Sequence, residues 1–272
     1  MTASEGGNGV PALGIGTYDL SAAECRAAVR HALEVGYRHV DTAEMYGNEA
    51  AVGDAIAAAD VAREDVFVAT KVHSRNLSYG DVIESARRSR ERLGVETIDL
   101  LYVHWPINSY DPEETLPAFD DLVDRGLIDR VGLSNFTPAL LREAVEVLDT
   151  PLFAHQVECH PLRPQRDLRR LAREEGHTLV AYSPLAKGAV TEVPAVADTA
   201  AEHGVTPAQA ALAWLLSKES TAAIPRSTSP THRRENYATR GVSLDADAIA
   251  RIDDVDRRER VVDFPDAPWN RE

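Results

Sequence analysis

Four residues of different chemistry, Asp41, Tyr46, Lys71 and His104, form a set that could protonate an oxygen. A free tyrosine has a pKa of about 10, too high to give up its proton readily near neutrality. An ammonium beside it favours the phenolate and lowers that value, and a carboxylate beside the ammonium keeps it charged and placed. Lys71 with Asp41 fits that role for Tyr46, and the imidazole of His104 suits the task of orienting and polarising the carbonyl that receives the proton. Each residue alone has a plainer reading. Tyr46 could be a packing residue, Asp41 and Lys71 a structural ion pair, and His104, before Trp105-Pro106, a satisfied core histidine. The chemistry depends on all four meeting at one place.

The elements between them decide whether they meet. Strand-like runs occur at Leu13–Thr17, His39–Thr42, Val66–Lys71, Ile98–His104, Val131–Asn135, Phe153–Glu158, Thr178–Ser183 and Ala222–Arg226. Helical patterns alternate with them: Ala22–Val35, Glu49–Ala58, Tyr79–Leu93, Glu113–Arg125, Pro138–Leu148, Asp167–Glu175, Pro207–Ser217 and Thr231–Tyr237. Ser21 with Glu24 three residues on reads as a helix start, as does Thr206-Pro207, and Gly36, Gly94, Gly126 and Gly176 stand where helices should stop. This alternation predicts an α/β fold, a (β/α)8 TIM barrel, as a single domain over residues 1–272. A doubly wound open sheet is the alternative, weakened because Gly14-Ile15-Gly16-Thr17-Tyr18-Asp19 lacks the third glycine of a dinucleotide fingerprint. Asp245–Val255 reads as an extra helix, followed by a short tail, Val261–Glu272. In such a barrel reactive groups gather at the C-terminal ends of strands. Asp41 ends the second strand, Tyr46 follows in its loop, Lys71 ends the third strand and His104 the fourth.

The 272 residues suit one barrel, and 44% hydrophobic content provides for a large core. No apolar run approaches the roughly 18 residues of a membrane span. The N-terminal stretch lacks the basic and apolar regions of a signal peptide, so a cytoplasmic protein is expected. Net charge is −15, which disfavours nucleic acid and anionic membranes as partners. Of 29 basic residues only Lys71, Lys187 and Lys218 are lysines. Acid excess with scarce lysine suits a halophilic cytoplasm, where salt screens self-repulsion. A GC-rich genome would explain the lysine scarcity but not the acids. Cys25 and Cys159 lie far apart and imply neither disulfide nor thiolate metal site. No metal is suggested either, since Glu158 and His160 share a strand parity that His155 does not.

The stretch Gly36-Tyr37-Arg38-His39-Val40-Asp41-Thr42-Ala43, continuing through Tyr46, Asn48 and Glu49 to Val52-Gly53, resembles the aldo-keto reductase signature. Thr70-Lys71, His104-Trp105-Pro106, Gly132 to Phe136, Gln156 to Pro161, Tyr182 to Leu185 and Ile224 to Ser227 resemble its later blocks in order, over roughly residues 9–240. The resemblance is to prokaryote-type members such as diketo-gluconate and methylglyoxal reductases. It implies an NAD(P)H-dependent oxidoreductase that reduces aldehydes or ketones, with Asp41, Tyr46, Lys71 and His104 as catalytic tetrad and Tyr46 as general acid. Ser134, Asn135 and Gln156 match residues that hold the cofactor carboxamide, and Tyr182 the ring stacked on the nicotinamide. Gly16 and Thr17 match the cofactor lining, and Ser183 and Leu185 border the pyrophosphate.

At the adenosine end, Arg226, Ser227, His232, Glu235 and Asn236 match a family pattern that has a second cation where His232 stands. A histidine is mostly neutral at pH 7. NADP(H) is therefore the expected cofactor with appreciable use of NAD(H), unless Arg233, about 100° away on the helix, compensates. In the substrate pocket Tyr18 and His73 stand where many members have Trp, and His155 where they have Asn. Trp105, Tyr18 and Trp269 remain as apolar walls of an open, polar pocket. Small polar aldehydes, α-keto carbonyls and sugar-derived ketones are the implied small-molecule substrates, and a monomer is implied as well. Two readings compete: a nucleotide-sensing subunit, which the intact tetrad disfavours, and a metal-dependent barrel hydrolase, which lacks clustered histidines.

Overall fold

The computed structural model describes residues 5–6 and 9–271, so the outermost residues of the expected 1–272 domain lie outside it. A short antiparallel hairpin, β1 (Glu5–Gly6) and β2 (Val10–Pro11), comes first. Eight strands follow: β3 (Ile15–Gly16), β4 (His39–Asp41), β5 (Phe67–Val72), β6 (Leu100–Val103), β7 (Val131–Ser134), β8 (Leu152–Glu158), β9 (Thr178–Tyr182) and β10 (Thr221–Ala223). Each runs parallel to its neighbours in chain order. The two ends meet where Leu13 bridges Ala223 and the Gly14 N–H donates to the Ala223 carbonyl at 2.9 Å. That contact closes the sheet into the expected barrel and removes its edges.

Around it lie α1 (Ala22–Val35), α2 (Glu49–Ala57), α3 (Tyr79–Leu93), α4 (Pro112–Asp124), α5 (Pro138–Val147), α6 (Arg166–Glu175), α7 (Pro194–His203), α8 (Pro207–Leu216), α9 (Pro230–Ala238) and α10 (Ala246–Asp253). Ser21 and Thr206 form capping boxes with Glu24 and Gln209, and Gly36 ends α1 at φ 118, a conformation that favours glycine. Helix α7 is absent from the sequence-based expectation. Its buried side is only Val196, Thr199 and Ala200, too small and mixed a stripe to stand out in an alanine-rich run. Several strands are shorter than their apolar runs, β3, β6 and β10 most of all. Ile98 forms an isolated bridge to Ile128, and β10 stops at Ala223, two residues before Pro225, which has no N–H to continue a ladder.

Apolar side chains fill two separate layers. The larger lies between strands and helices and includes Val40, Val68, Leu101, Leu133 and Trp214. The smaller fills the barrel interior with Ala69, Leu100, Tyr102, Ala154, Val180, Ala222 and Ile224, joined by Val10 of the hairpin. Gly132 makes room for this layer, because a Cβ there would lie 2.3 Å from the Tyr102 ring. Cys25 and Cys159 are free and buried, and no described helix is long and apolar enough to cross a membrane.

Candidate active site

Side chains alternate along a strand, so the residue two beyond an interior packing residue also faces the barrel axis. Lys71 follows Ala69 by two, His104 follows Tyr102, Gln156 follows Ala154 and Tyr182 follows Val180. The same periodicity that fills the barrel with apolar atoms therefore ends in a polar layer at its C-terminal mouth. There Lys71 Nζ donates to Asp41 Oδ1 at 2.5 Å and to the Thr42 carbonyl at 2.7 Å. Gln156 Nε2 donates to the other Asp41 oxygen at 2.7 Å. Both members of the ion pair are almost wholly buried, at 1% and 3% side-chain exposure, so removing either would leave a buried charge unpaired.

Tyr46 reaches this layer from a one-turn 3-10 helix, Glu44–Tyr46, that ends at Gly47. Its ring lies 5.3 Å from Lys71 Nζ and edge-on to His104, with centroids 5.6 Å apart. The turn is anchored on both sides. Glu44 accepts from the His73 N–H at 2.9 Å and from Asn76 Nδ2 at 3.0 Å. Asn48 donates to the Thr17 and Leu20 carbonyls and accepts from Thr42. These two anchors are not evident from the sequence. Asn48 and Glu49 appear only as part of a motif, and Glu44 has no visible partner nearby.

The electrostatics correct one expectation. Burial, followed by the charge of Asp41 and then by Tyr182 and Tyr18, pushes the Tyr46 phenol well above its usual range. Lys71 Nζ is engaged by Asp41 and the Thr42 carbonyl, and burial with the Asp41 charge outweighs what the ammonium offers the phenolate. Burial lowers the Lys71 pKa while Asp41 opposes the fall. Burial, then Lys71 and His73, pushes His104 well below its normal value, so its imidazole is neutral.

The residues matched to a carboxamide site form one hydrogen-bonded group. Asn135, with a left-handed φ of 66, donates to the His104 carbonyl at 2.9 Å and to Ser134 Oγ at 3.0 Å. Its side-chain oxygen accepts from the Tyr182 hydroxyl at 2.8 Å, and Ser134 donates to the Gln156 carbonyl at 2.9 Å. Thr17 is buried and bonded to the Asp41 carbonyl at 3.0 Å. Gly16 runs close to the Ile224 backbone, since a Cβ would sit 3.0 Å from the Ile224 carbonyl. Neutral amides beside the Tyr182 ring suit a carboxamide on an aromatic ring. Ser183 and Leu185 follow on the next loop, Ser183 with a left-handed φ of 45.

At the far end Arg226 and His232 are exposed, Ser227 and Glu235 are part-buried and Asn236 is buried. Arg226, Ser227, His232 and Asn236 offer donors of the kind a phosphate takes. Arg233 does not serve it: its guanidinium donates to His31 Nδ1 at 3.1 Å and to the Ser227 carbonyl at 2.9 Å, and the residue is 4% exposed. Among the described residues no cluster of three metal-ligating side chains occurs.

The pocket wall differs from expectation in two respects. His155 is fully buried and faces outward among Phe136 and His177, so it does not line the pocket; its parity is opposite to that of Gln156. The tail does not leave the mouth open. Trp105 packs on Phe264 at 4.8 Å and on Trp269 at 5.6 Å, which adds Phe264 to the aromatic wall. Tyr18, 58% exposed, lies edge-on to Tyr46 at 5.2 Å, and His73 sits part-buried at the rim. The tail is held by Glu158, which accepts from the Val261 and Val262 N–H groups at 2.8 and 2.9 Å and pairs with His160 at 2.9 Å.

A closed barrel brings an acid, a phenol, an ammonium and an imidazole together at its mouth, and comparison with known proteins fixes the family. The profile of the aldo/keto reductase family matches residues 7–257. An aldo-keto reductase from Mycolicibacterium smegmatis is 35% identical over 94% of this chain and 93% of its own length. Methylglyoxal reductase DkgB of Escherichia coli O157:H7 is 36% identical over 91% of this chain and 95% of its own. A crystal structure assigned as 2,5-diketo-D-gluconic acid reductase B superposes with a TM-score of 0.93 at 33% identity, covering 98% of this chain and 96% of that one. The chain belongs to the aldo/keto reductase family and is an oxidoreductase of small carbonyl compounds.

Proposed function

We propose that the protein uses NADPH, and NADH less well, to reduce small α-dicarbonyl and sugar-derived aldehydes or ketones to alcohols, with Tyr46 as general acid. The observation that carries this is the buried Lys71–Asp41 pair beneath Tyr46, with neutral His104 beside it. The bound dinucleotide supplies the hydride. Ser134, Asn135, Gln156 and Tyr182 would hold its carboxamide end, Gly16, Thr17, Ser183 and Leu185 its middle, and Arg226, Ser227, His232, Glu235 and Asn236 its phosphate end. Burial and the Asp41 charge favour the protonated phenol, so Tyr46 can meet a substrate oxygen as a hydrogen-bond donor. Its proton moves only as that oxygen gains negative charge, and the nearby ammonium of Lys71 stabilises the phenolate left behind. His104, being neutral, can donate a hydrogen bond to the same oxygen without competing as an acid. The names of the relatives support α-dicarbonyl and diketo-acid substrates. The composition supports a monomer working in a salty cytoplasm.

The test is NADPH and NADH oxidation with methylglyoxal and with a simple aldehyde, at low and at multimolar salt. Turnover that rises with salt and is faster with NADPH is the expected result. Tyr46→Phe should lose about a hundredfold or more in kcat, the usual worth of a general acid, while cofactor still quenches tryptophan fluorescence. An active Tyr46→Phe variant would remove Tyr46 from its role. Cofactor binding without any turnover would favour the sensing-subunit reading.

A further inference from the structure

The tail that roofs the pocket carries one guanidinium, Arg260, with no hydrogen-bond or ion-pair partner among the described residues. Its Cζ lies 3.4 Å from the centroid of the Trp269 ring. Trp269 in turn packs on Trp105, which directly follows His104. Arg260 is part-buried, and the next residue, Val261, is bonded to Glu158 at the end of β8. It therefore sits near the mouth of the barrel, beside the aromatic wall of Trp105, Phe264 and Trp269.

The neighbouring carboxylates, Glu158 and Asp263, favour its charge but make no hydrogen bond or ion pair with it among the described residues. Glu158 accepts from His160 and from two tail amides. Asp263 accepts from the Trp269 indole N–H at 2.9 Å, from the Asn270 amide at 2.9 Å and from the Phe264 N–H at 3.0 Å. Burial, and then repulsion from Arg163, lowers the pKa of Arg260, while Glu158, Tyr182 and Asp263 oppose the fall. A guanidinium offers five N–H donors in a planar fork that matches a carboxylate.

We infer that Arg260 recognises a carboxylate on the substrate, so that the enzyme favours oxo acids over neutral carbonyl compounds of the same length. This rests on the carbonyl-reductase reading. It assigns the preference to a residue outside the catalytic group.

The experiment compares kcat/KM for succinic semialdehyde against butanal, and glutaric semialdehyde against pentanal, in wild type, Arg260→Gln and Arg260→Lys at low salt. The wild type should favour the acids. Arg260→Gln should reduce the acid-to-neutral ratio about 10- to 100-fold, the worth of one charged hydrogen-bonded contact, and Arg260→Lys should restore part of it. An equal loss on acids and neutrals in Arg260→Gln would assign the residue a merely structural role and overturn the inference. So would a wild type with no acid preference, which decides the matter even if the glutamine variant fails to fold. Turnover of neither class would instead overturn the carbonyl-reductase reading.

Discussion

Replacing Glu158 by glutamine tests whether the C-terminal tail is held in place from inside the barrel. Glu158 is 1% exposed. Burial alone would raise its pKa, but the hydrogen bonds from His160 and from the Val261 and Val262 amides outweigh it and hold the carboxyl below its ordinary value. The group is therefore ionised at neutral pH and accepts two backbone N–H bonds from the tail, at 2.8 and 2.9 Å. Hydrogen bonds to a charged group are worth roughly 1.5–3 kcal/mol each. A glutamine keeps one acceptor oxygen but turns an NH2 toward the other amide, and the remaining bond loses its charge. The expected loss in tail docking is about 2–4 kcal/mol, or some 30- to 1,000-fold in the docked equilibrium. Phe264 and Trp269 travel with the tail and leave Trp105, so KM for an aldehyde should rise more than kcat falls. Tryptophan emission should shift to the red, and trypsin should cut sooner after Arg257, Arg258 or Arg260. Unchanged KM, emission and proteolysis in a folded Glu158→Gln protein would show that the tail is held by other contacts, such as Lys187 Nζ on the Val261 carbonyl at 2.8 Å.

Two further outcomes are expected. His232→Arg places a permanent cation at an exposed position facing the phosphate end, which should strengthen NADPH binding over NADH by about 1 kcal/mol, or some fivefold, at low salt. An unchanged NADPH:NADH ratio in Michaelis constants would show that Arg226 alone already satisfies the phosphate. Acid should destabilise the fold before its carboxylates titrate. Burial, with His177 adding to it, pushes His155 down to about 3, and burial pushes His177 down to about 4. Both folded values lie below the unfolded one near 6.5, so their contribution is fully present above that pH and is lost as pH falls through it. Each histidine costs up to about 1.4 kcal/mol per pH unit below 6.5. Urea unfolding between about pH 7 and 5 should show this slope, and His155→Asn should reduce it. A variant with the wild-type slope would mean that other groups govern acid sensitivity.

The barrel was legible because its signals are local. Eight apolar runs, capped helix starts and glycine stops each fit within a dozen residues, and their alternation leaves few topologies open. The four reactive residues were legible for the same reason: strand ends in a parallel barrel share one rim, so chain order already implies proximity. What the sequence hid is long-range or depends on parity. His155 and Gln156 are adjacent in sequence, yet one faces the helices and the other Asp41, and a motif match alone does not separate them. Phe264 and Glu158 are 106 positions apart, and nothing in either neighbourhood announces that one anchors the segment carrying the other. The Tyr46 pKa failed as an expectation for a related reason. A lysine near a tyrosine lowers its pKa only where burial and neighbouring anions do not outweigh it, and here burial and the Asp41 charge prevail, with Asp41, Thr42 and Gln156 in a closed group around the Lys71 pair. Under the proposed role of Tyr46 as general acid, Lys71 would act on the state after proton transfer. Before transfer, burial keeps the phenol whole; once the proton has gone, the ammonium is the nearest cation to the charge that remains.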